Sequence, residues 1–213
     1  MDIYGFAAGP YQANTYILAL NGQALVVDPG LHARVRVESL VAEHGLSLGA
    51  IVLTHGHLDH TREAGDLAAA HGVPVYIHSA DAPWLDKAPG MPANSRQLFD
   101  AEGMLPIADL RDLDGPHLEV CGMSFDLLHA PGHSPGCVIV RGEGFALTGD
   151  VVFKGSIGRT DLPGSDPQAM ERTLREVVLP LADELALLPG HGPTTSMRAE
   201  RRSNQFLLAV QQG

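Results

Sequence analysis

The sequence predicts an α/β fold assembled from two related halves. Two observations carry this: short apolar strands alternate with helical stretches along the chain, and each half runs strand, helix, strand into a polar cluster. In the first half a strand ends at Asp28, a helix follows, and the next strand leads into His55. In the second half a strand ends at Asp150, a helix follows, and the next strand stops just before His191. Two such halves sharing one core bring both sets of strand ends to one edge, where polar side chains converge without entering the core.

The elements follow in order. Ile3–Ala8, Asn14–Leu20 and Ala24–Asp28 read as paired strands, and Asn21-Gly22 is a hairpin signal because both positions accept positive φ. Pro29-Gly30 breaks the chain before a helix over Ala33–His44. Gly49–Thr54 is an apolar strand, Thr61–His71 has helical spacing with Gly72 as its stop, and Val73–His78 is a further strand. The stretch Ser79–Pro106 is rich in Pro, Ala and Asp, and reads as an irregular excursion with one short helix, of the kind that shapes a substrate entrance. Strands resume at His117–Cys121, Met123–Ala130, Cys137–Arg141 and Phe145–Thr148. A helix over Asp166–Glu184, a strand over Leu185–Leu188 and an amphipathic helix over Thr195–Gln211 close the chain.

With 213 residues the chain suits one domain with a sizeable core. The formal net charge of −11 disfavours a nucleic-acid partner, and Arg198, Arg201 and Arg202, interrupted by Glu200, read as a solvated helix face. No apolar run approaches the ~20 residues that cross a bilayer, and no export signal is seen at the N-terminus. Cys121 and Cys137 form no CxxC pair and read as small apolar residues on strands. These features predict a cytoplasmic protein free of disulfides, with neither a nucleic-acid nor a membrane partner.

The chemistry starts at His55-Gly56-His57-Leu58-Asp59-His60, directly after an apolar strand. Alternate residues of an extended turn point the same way, so His55 and His57 suit one metal ion while Asp59 and His60 suit a second. Imidazoles with a carboxylate fit zinc first, with iron or manganese as alternatives. His133, held in a turn by Pro131-Gly132 and Pro135-Gly136, supplies a third nitrogen to the first ion. Asp150 ends an apolar strand, where a carboxylate is costly unless paired or metal-bound, and can reach both ions. His191, in Pro189-Gly190-His191-Gly192, completes the second ion's set. Asp28 is expected to hydrogen-bond the ligand loop, because metal-bound histidines need acceptors behind them. His129 is expected in a structural or supporting role, His78 at a strand end with a supporting role only as the lesser reading, Ser134 and Ser156 in turns, and His32, His44, His71 and His117 on the surface.

These pieces, in this order, resemble the metallo-β-lactamase superfamily over nearly the whole chain, from Val27-Asp28-Pro29-Gly30 to the closing helix. The resemblance implies a four-layer αββα sandwich with two divalent metal ions at one edge: His55, His57 and His133 at one, Asp59, His60 and His191 at the other, Asp150 bridging. Within the superfamily the chain is similar to the short glyoxalase II-like (hydroxyacylglutathione hydrolase-like) group, without the helical C-terminal domain of the long enzymes. The similarity lies in Thr148-Gly149-Asp150 and the run to Asp161, where Arg159 stands at a basic position that holds a carboxylate of the thiol carrier. It implies hydrolysis of a small-molecule thioester such as S-lactoylglutathione, with Asp59 orienting the nucleophile and Arg159, with Lys154 second to it, holding an anionic arm. Asp161 stands where the long enzymes have Tyr. The alternative is a persulfide dioxygenase with one iron on His55, His133 and Asp150, since Gly158-Arg159-Thr160-Asp161 also resembles those enzymes, although Leu162-Pro163 departs from their Phe-Gln continuation. A lactonase or a non-catalytic metal-binding protein ranks below both. The sequence leaves the oligomeric state open.

Overall fold

A strand that is apolar on both faces needs cover on both sides, and this requirement dictates the layering. The computed structural model describes residues 1–212. One six-stranded sheet has the order β1 (Asp2–Ala8), β2 (Ala13–Leu20), β3 (Gln23–Val27), β4 (Ser47–Val52), β5 (Val75–Ile77), β6 (Leu110–Asp112). The second has the order β14 (Thr195–Ser196), β13 (Ala186–Pro189), β10 (Phe145–Gly149), β9 (Val138–Gly142), β8 (Met123–His129), β7 (His117–Val120).

Alternate residues of each central strand go to opposite faces. Leu18, Leu25, Val27 and Val52 of the first sheet meet Phe125, Val140 and Leu147 of the second in a core between the sheets. Their sequence neighbours Ile17, Val26 and Ile51 face outward, onto helices α1 (Arg34–Glu43) and α3 (Ala64–His71). On the far side Ile139, Ala146 and Leu187 face α5 (Pro167–Thr173), α6 (Met197–Ser203) and α7 (Gln205–Gln212). The layers are therefore helix, sheet, sheet, helix. The halves correspond: an antiparallel run leads into β3, which pairs parallel with β4 after α1, and another leads into β10, which pairs parallel with β13 after α5.

Three expected helices are interrupted. The one expected over Thr61–His71 splits into α2 (Leu58–Thr61) and α3, because the Glu63 N–H donates to Pro29 O at 3.0 Å across the chain. The helix expected over Asp166–Glu184 is α5 followed by a π-turn over Leu174–Val178, and stops ahead of Pro180, which has no N–H to continue it. The closing helix breaks at buried Asn204, whose Nδ2 donates to Ser156 O at 3.0 Å and to Glu200 Oε2 at 3.0 Å. Glu200 is itself buried and accepts from the Gly155 N–H at 2.7 Å, so this helix does not present an unbroken solvated face. The excursion after β5 carries the expected short helix, α4 (Ala93–Leu98), and β6, which the sequence does not predict, follows it. Asn21-Gly22 makes its turn with both φ positive, and Cys121-Gly122 does the same between β7 and β8, so Cys121 sits in a half-buried turn rather than on a strand. Cys137 is buried as expected. No helix among the described residues is long and apolar enough to cross a membrane.

Candidate metal centre

The strand ends of both halves deliver their polar residues to one place. His55 follows β4, His57 caps α2, and Asp59 and His60 lie within that single turn, where successive side chains splay by about 100°. His133 sits in the β8–β9 loop, Asp150 follows β10 and His191 follows β13. Two trios bring one donor atom per residue within 4.8 Å of each other: His55, His57 and His133, and Asp59, His60 and His191. The Asp150 carboxylate lies between them, with Oδ2 3.4 Å from His133 Nε2 and 3.5 Å from His191 Nε2, and Oδ1 3.4 Å from His60 Nε2.

Hydrogen bonds behind the rings fix which nitrogen faces inward. His60 Nδ1 donates to Asp28 Oδ2 (3.1 Å), His133 Nδ1 to the Arg159 carbonyl (2.8 Å) and His191 Nδ1 to the Tyr11 carbonyl (3.1 Å). The Thr54 hydroxyl gives its proton to Asp28 at 2.7 Å, so at 3.1 Å it accepts from His55 Nδ1. All four rings thus carry a proton on Nδ1 and turn Nε2 inward. His57 is reversed: its Nδ1 faces His133 Nε2 at 2.8 Å.

This arrangement fits a divalent cation. His55 Nε2 and Asp150 Oδ1 are buried with no hydrogen-bond partner, a costly condition that a metal ion relieves. Lone pairs also face each other between His57 and His133, and between His60 and His191 at 3.2 Å, where only a proton or a cation can sit. A third trio, Asp28, His55 and His60, is spoken for, because Asp28 already accepts from the Thr54 N–H (2.8 Å), the Thr54 hydroxyl and His60.

Proton affinities agree with this division. Burial, then the neighbouring histidines, hold His55 well below the usual imidazole range. Burial and His133 bring His57 down to about 3, so both stay neutral, as ligands must be. Burial opposes charge on His60 too, but Asp150, Asp59 and Asp28 push it up to about 10. His191 is likewise raised against burial by Asp59 and Asp150. Burial works against the Asp59 carboxylate as well, yet His60 and His191 hold it below its ordinary range. The carboxylate-rich half of the centre demands positive charge.

A cleft of about 520 Å³ opens over these groups. Tyr11, Met91, Phe153, Ile157 and Leu162 give it apolar walls, and Asn94, Ser95 and Arg159 add polar groups. The excursion after β5 therefore does form one wall, through Met91–Ser95. The Arg159 guanidinium is exposed and paired with Asp161 at 2.9 Å. Lys154 is exposed on the turn between β11 (Val152–Phe153) and β12 (Ser156–Ile157) and does not line the cleft. His129 donates to or accepts nothing at the ligands; its Nε2 bonds the Pro135 carbonyl at 2.8 Å, and its ring stacks on His78.

Three supporting residues escape sequence reasoning. Asp81, fully buried, accepts from Gly56 N–H, Ser134 Oγ and Gly136 N–H. Ser134 is thus a buried donor and not merely a turn residue. Asn14 stitches the His191 loop to β2: its N–H donates to Gly190 O at 2.7 Å and its Nδ2 to Pro189 O at 2.9 Å. Trp84 stacks on His57, with ring centroids 4.8 Å apart and planes 16° from parallel. Their partners lie far away in sequence, and the one local hint is glycine beside each ligand loop.

The metallo-beta-lactamase superfamily family model matches residues 8–191. The hydroxyacylglutathione hydrolase GloC of Haemophilus influenzae is 36% identical over 186 residues, covering 86% of this chain and 87% of its own. The crystal structure of TTHA1623 in a di-iron-bound form aligns with a TM-score of 0.84 at 35% identity, covering 95% of this chain and 99% of that one. The BLEG-1 B3 metallo-beta-lactamase aligns with a TM-score of 0.86 at 32% identity, covering 97% and 99%.

Proposed function

The chain belongs to the metallo-β-lactamase superfamily of metal-dependent hydrolases, and within it we propose a binuclear thioester hydrolase acting on an acylated small thiol that carries a negative charge. The observation that carries two ions is the second trio. Asp59, His60 and His191 converge as closely as His55, His57 and His133, and a mononuclear iron centre on His55, His133 and Asp150 leaves them without a task. Similarity to a protein crystallised in a di-iron-bound form supports the count, and similarity to a hydroxyacylglutathione hydrolase supports the thioester. His55, His57 and His133 hold one ion, Asp59, His60 and His191 the other, and Asp150 serves both. Zinc is our first choice, with iron and manganese as alternatives.

When bound, the ions acidify a water to hydroxide at neutral pH and polarise the scissile carbonyl. The protein does the rest. Asp59 Oδ2, 3.2 Å from His191 Nε2, is placed to accept a hydrogen bond from the attacking nucleophile and hold its lone pair toward the carbonyl carbon. Asp28 and the carbonyls of Arg159 and Tyr11 keep the imidazoles from turning. Tyr11, Met91, Phe153 and Leu162 keep bulk water from the acyl group. Arg159, whose exposed pair with Asp161 is weak, is free to exchange that partner for the substrate's carboxylate at the cleft edge.

Similarity to BLEG-1 gives β-lactam hydrolysis a place in the test. Metal-loaded protein is assayed against S-lactoylglutathione, a chromogenic cephalosporin, and glutathione persulfide with oxygen uptake. Thioester cleavage that dominates the other two is the expected result. Oxygen uptake by protein holding one iron per chain, or β-lactam cleavage exceeding thioester cleavage, overturns the reading.

A further inference from the structure

We propose that Asp81 is a positioning residue that sets the spacing of the His55, His57 and His133 half of the centre, through its carboxylate and through the short turn that carries Trp84. The inference rests on the metal-site reading above, not on the substrate.

Asp81 lies at the start of a 3₁₀ turn, Ala82–Leu85, in a stretch that contributes no ligand. Its carboxylate is fully buried with no cation beside it, and every donor it accepts from belongs to a ligand loop. Oδ2 accepts from the Gly56 N–H at 2.8 Å, between His55 and His57, and from Ser134 Oγ at 2.5 Å, next to His133. Oδ1 accepts from the Gly136 N–H at 2.7 Å. One carboxylate thus ties together loops 25 and 55 residues away from it in sequence.

Close packing shows that the tie is built in. A Cβ on Gly136 would stand 2.7 Å from Asp81 Cγ, and one on Gly56 would stand 2.9 Å from the Asp81 carbonyl oxygen. The Asp81 carbonyl also accepts from the Trp84 N–H at 3.0 Å, and this places the indole against the His57 ring. His57 needs such a prop, because its Nε2 has no hydrogen-bond partner to stop the ring from turning. The other trio has its own anchors in Asp28, Tyr11 and Asn14 and makes no contact of this kind with Asp81. Loss of Asp81 should therefore weaken one ion and spare the other.

Trp84 is the only tryptophan in the chain, and its stacking on His57 makes its fluorescence a reporter of metal entering the centre that is weighted toward this half. The test is a Co²⁺ titration of metal-stripped, full-length protein, read by Trp84 fluorescence quenching and by bound cobalt after gel filtration. Wild type is compared with Asp81→Ala, Asp81→Asn and Ser134→Ala. Asn keeps an acceptor for Gly56 and Ser134 but turns an NH₂ toward the Gly136 N–H, so it should fall between the other two variants. We expect the ion reported by Trp84 to weaken roughly ten- to a hundredfold in Asp81→Ala, as is usual for residues that orient metal ligands. The effect should be smaller in Asp81→Asn and smallest in Ser134→Ala, with the second ion unchanged. Should Asp81→Ala not fold, Asp81→Asn decides. Wild-type affinity at both positions in a folded variant overturns the proposal, and so does equal weakening of both ions. Failure of the thioester assay with an intact two-step titration in wild type would count against the substrate reading alone.

Discussion

Asp28 shows what a single buried carboxylate does here. It sits at φ 51°, an unusual conformation for a residue with a side chain, and there it accepts three hydrogen bonds, from the Thr54 N–H, the Thr54 hydroxyl and His60. Asp28→Ala leaves those donors buried and unpaired, and should cost about 3 kcal/mol of stability, read by urea unfolding with chelator present so that metal binding does not mask it. Arg159→Ala removes only a side chain, since the contact with His133 is made by the Arg159 backbone carbonyl. KM for an anionic thioester should rise roughly tenfold, the scale of one charge-assisted hydrogen bond, with kcat little changed. Steady-state kinetics with a neutral thioester as control checks this, and an unchanged KM rejects the role. The convergence of seven His and Asp residues was legible because they stand directly after apolar strands or between Pro and Gly. Asp81 was not, because its partners are brought to it only by folding.

Glycine at the strand ends matters through close approach. Gly190 has no positive φ, so its backbone would accept alanine, yet a Cβ there would stand 2.2 Å from Asp150 Oδ1 and 2.7 Å from His60 Cε1. Gly190→Ala should leave the far-UV circular dichroism unchanged and strip metal from the protein; full metal content in this variant would show that the loop yields. At this scale the sequence was read well for long elements and poorly for breaks. Helices expected to run through Glu63 and Asn204 break there because another acceptor takes a helical N–H: Pro29 O takes that of Glu63, and the Asn204 side-chain oxygen takes that of Phe206. Periodicity carries no trace of such a competitor. Strands of two or three residues, such as β6, β11 and β14, are too short to show alternation.

The whole molecule is two strand–helix–strand halves whose candidate metal-binding residues meet across a joint. His55, His57, Asp59 and His60 come from one half, and His133, Asp150 and His191 from the other. The pairing of halves could be read from the chain, since Asp28 and Asp150 end equivalent strands; which face of each sheet lies inward emerges only with the sheets stacked. An ion held as proposed would cross-link the halves and bind the folded state alone. Metal at a hundredfold above its dissociation constant should therefore add about 3 kcal/mol, or roughly 6–12 °C in Tm, and chelation should remove it. Calorimetry with and without chelator measures this, and an unmoved Tm would mean that the ions do not join the halves. The ion count tests the central claim most directly. Elemental analysis of chain reconstituted with excess divalent metal, then freed of loosely held ions, should find about two ions per chain, each held by its own trio with Asp150 between. A stoichiometry that stays at about one ion per chain would contradict the binuclear account.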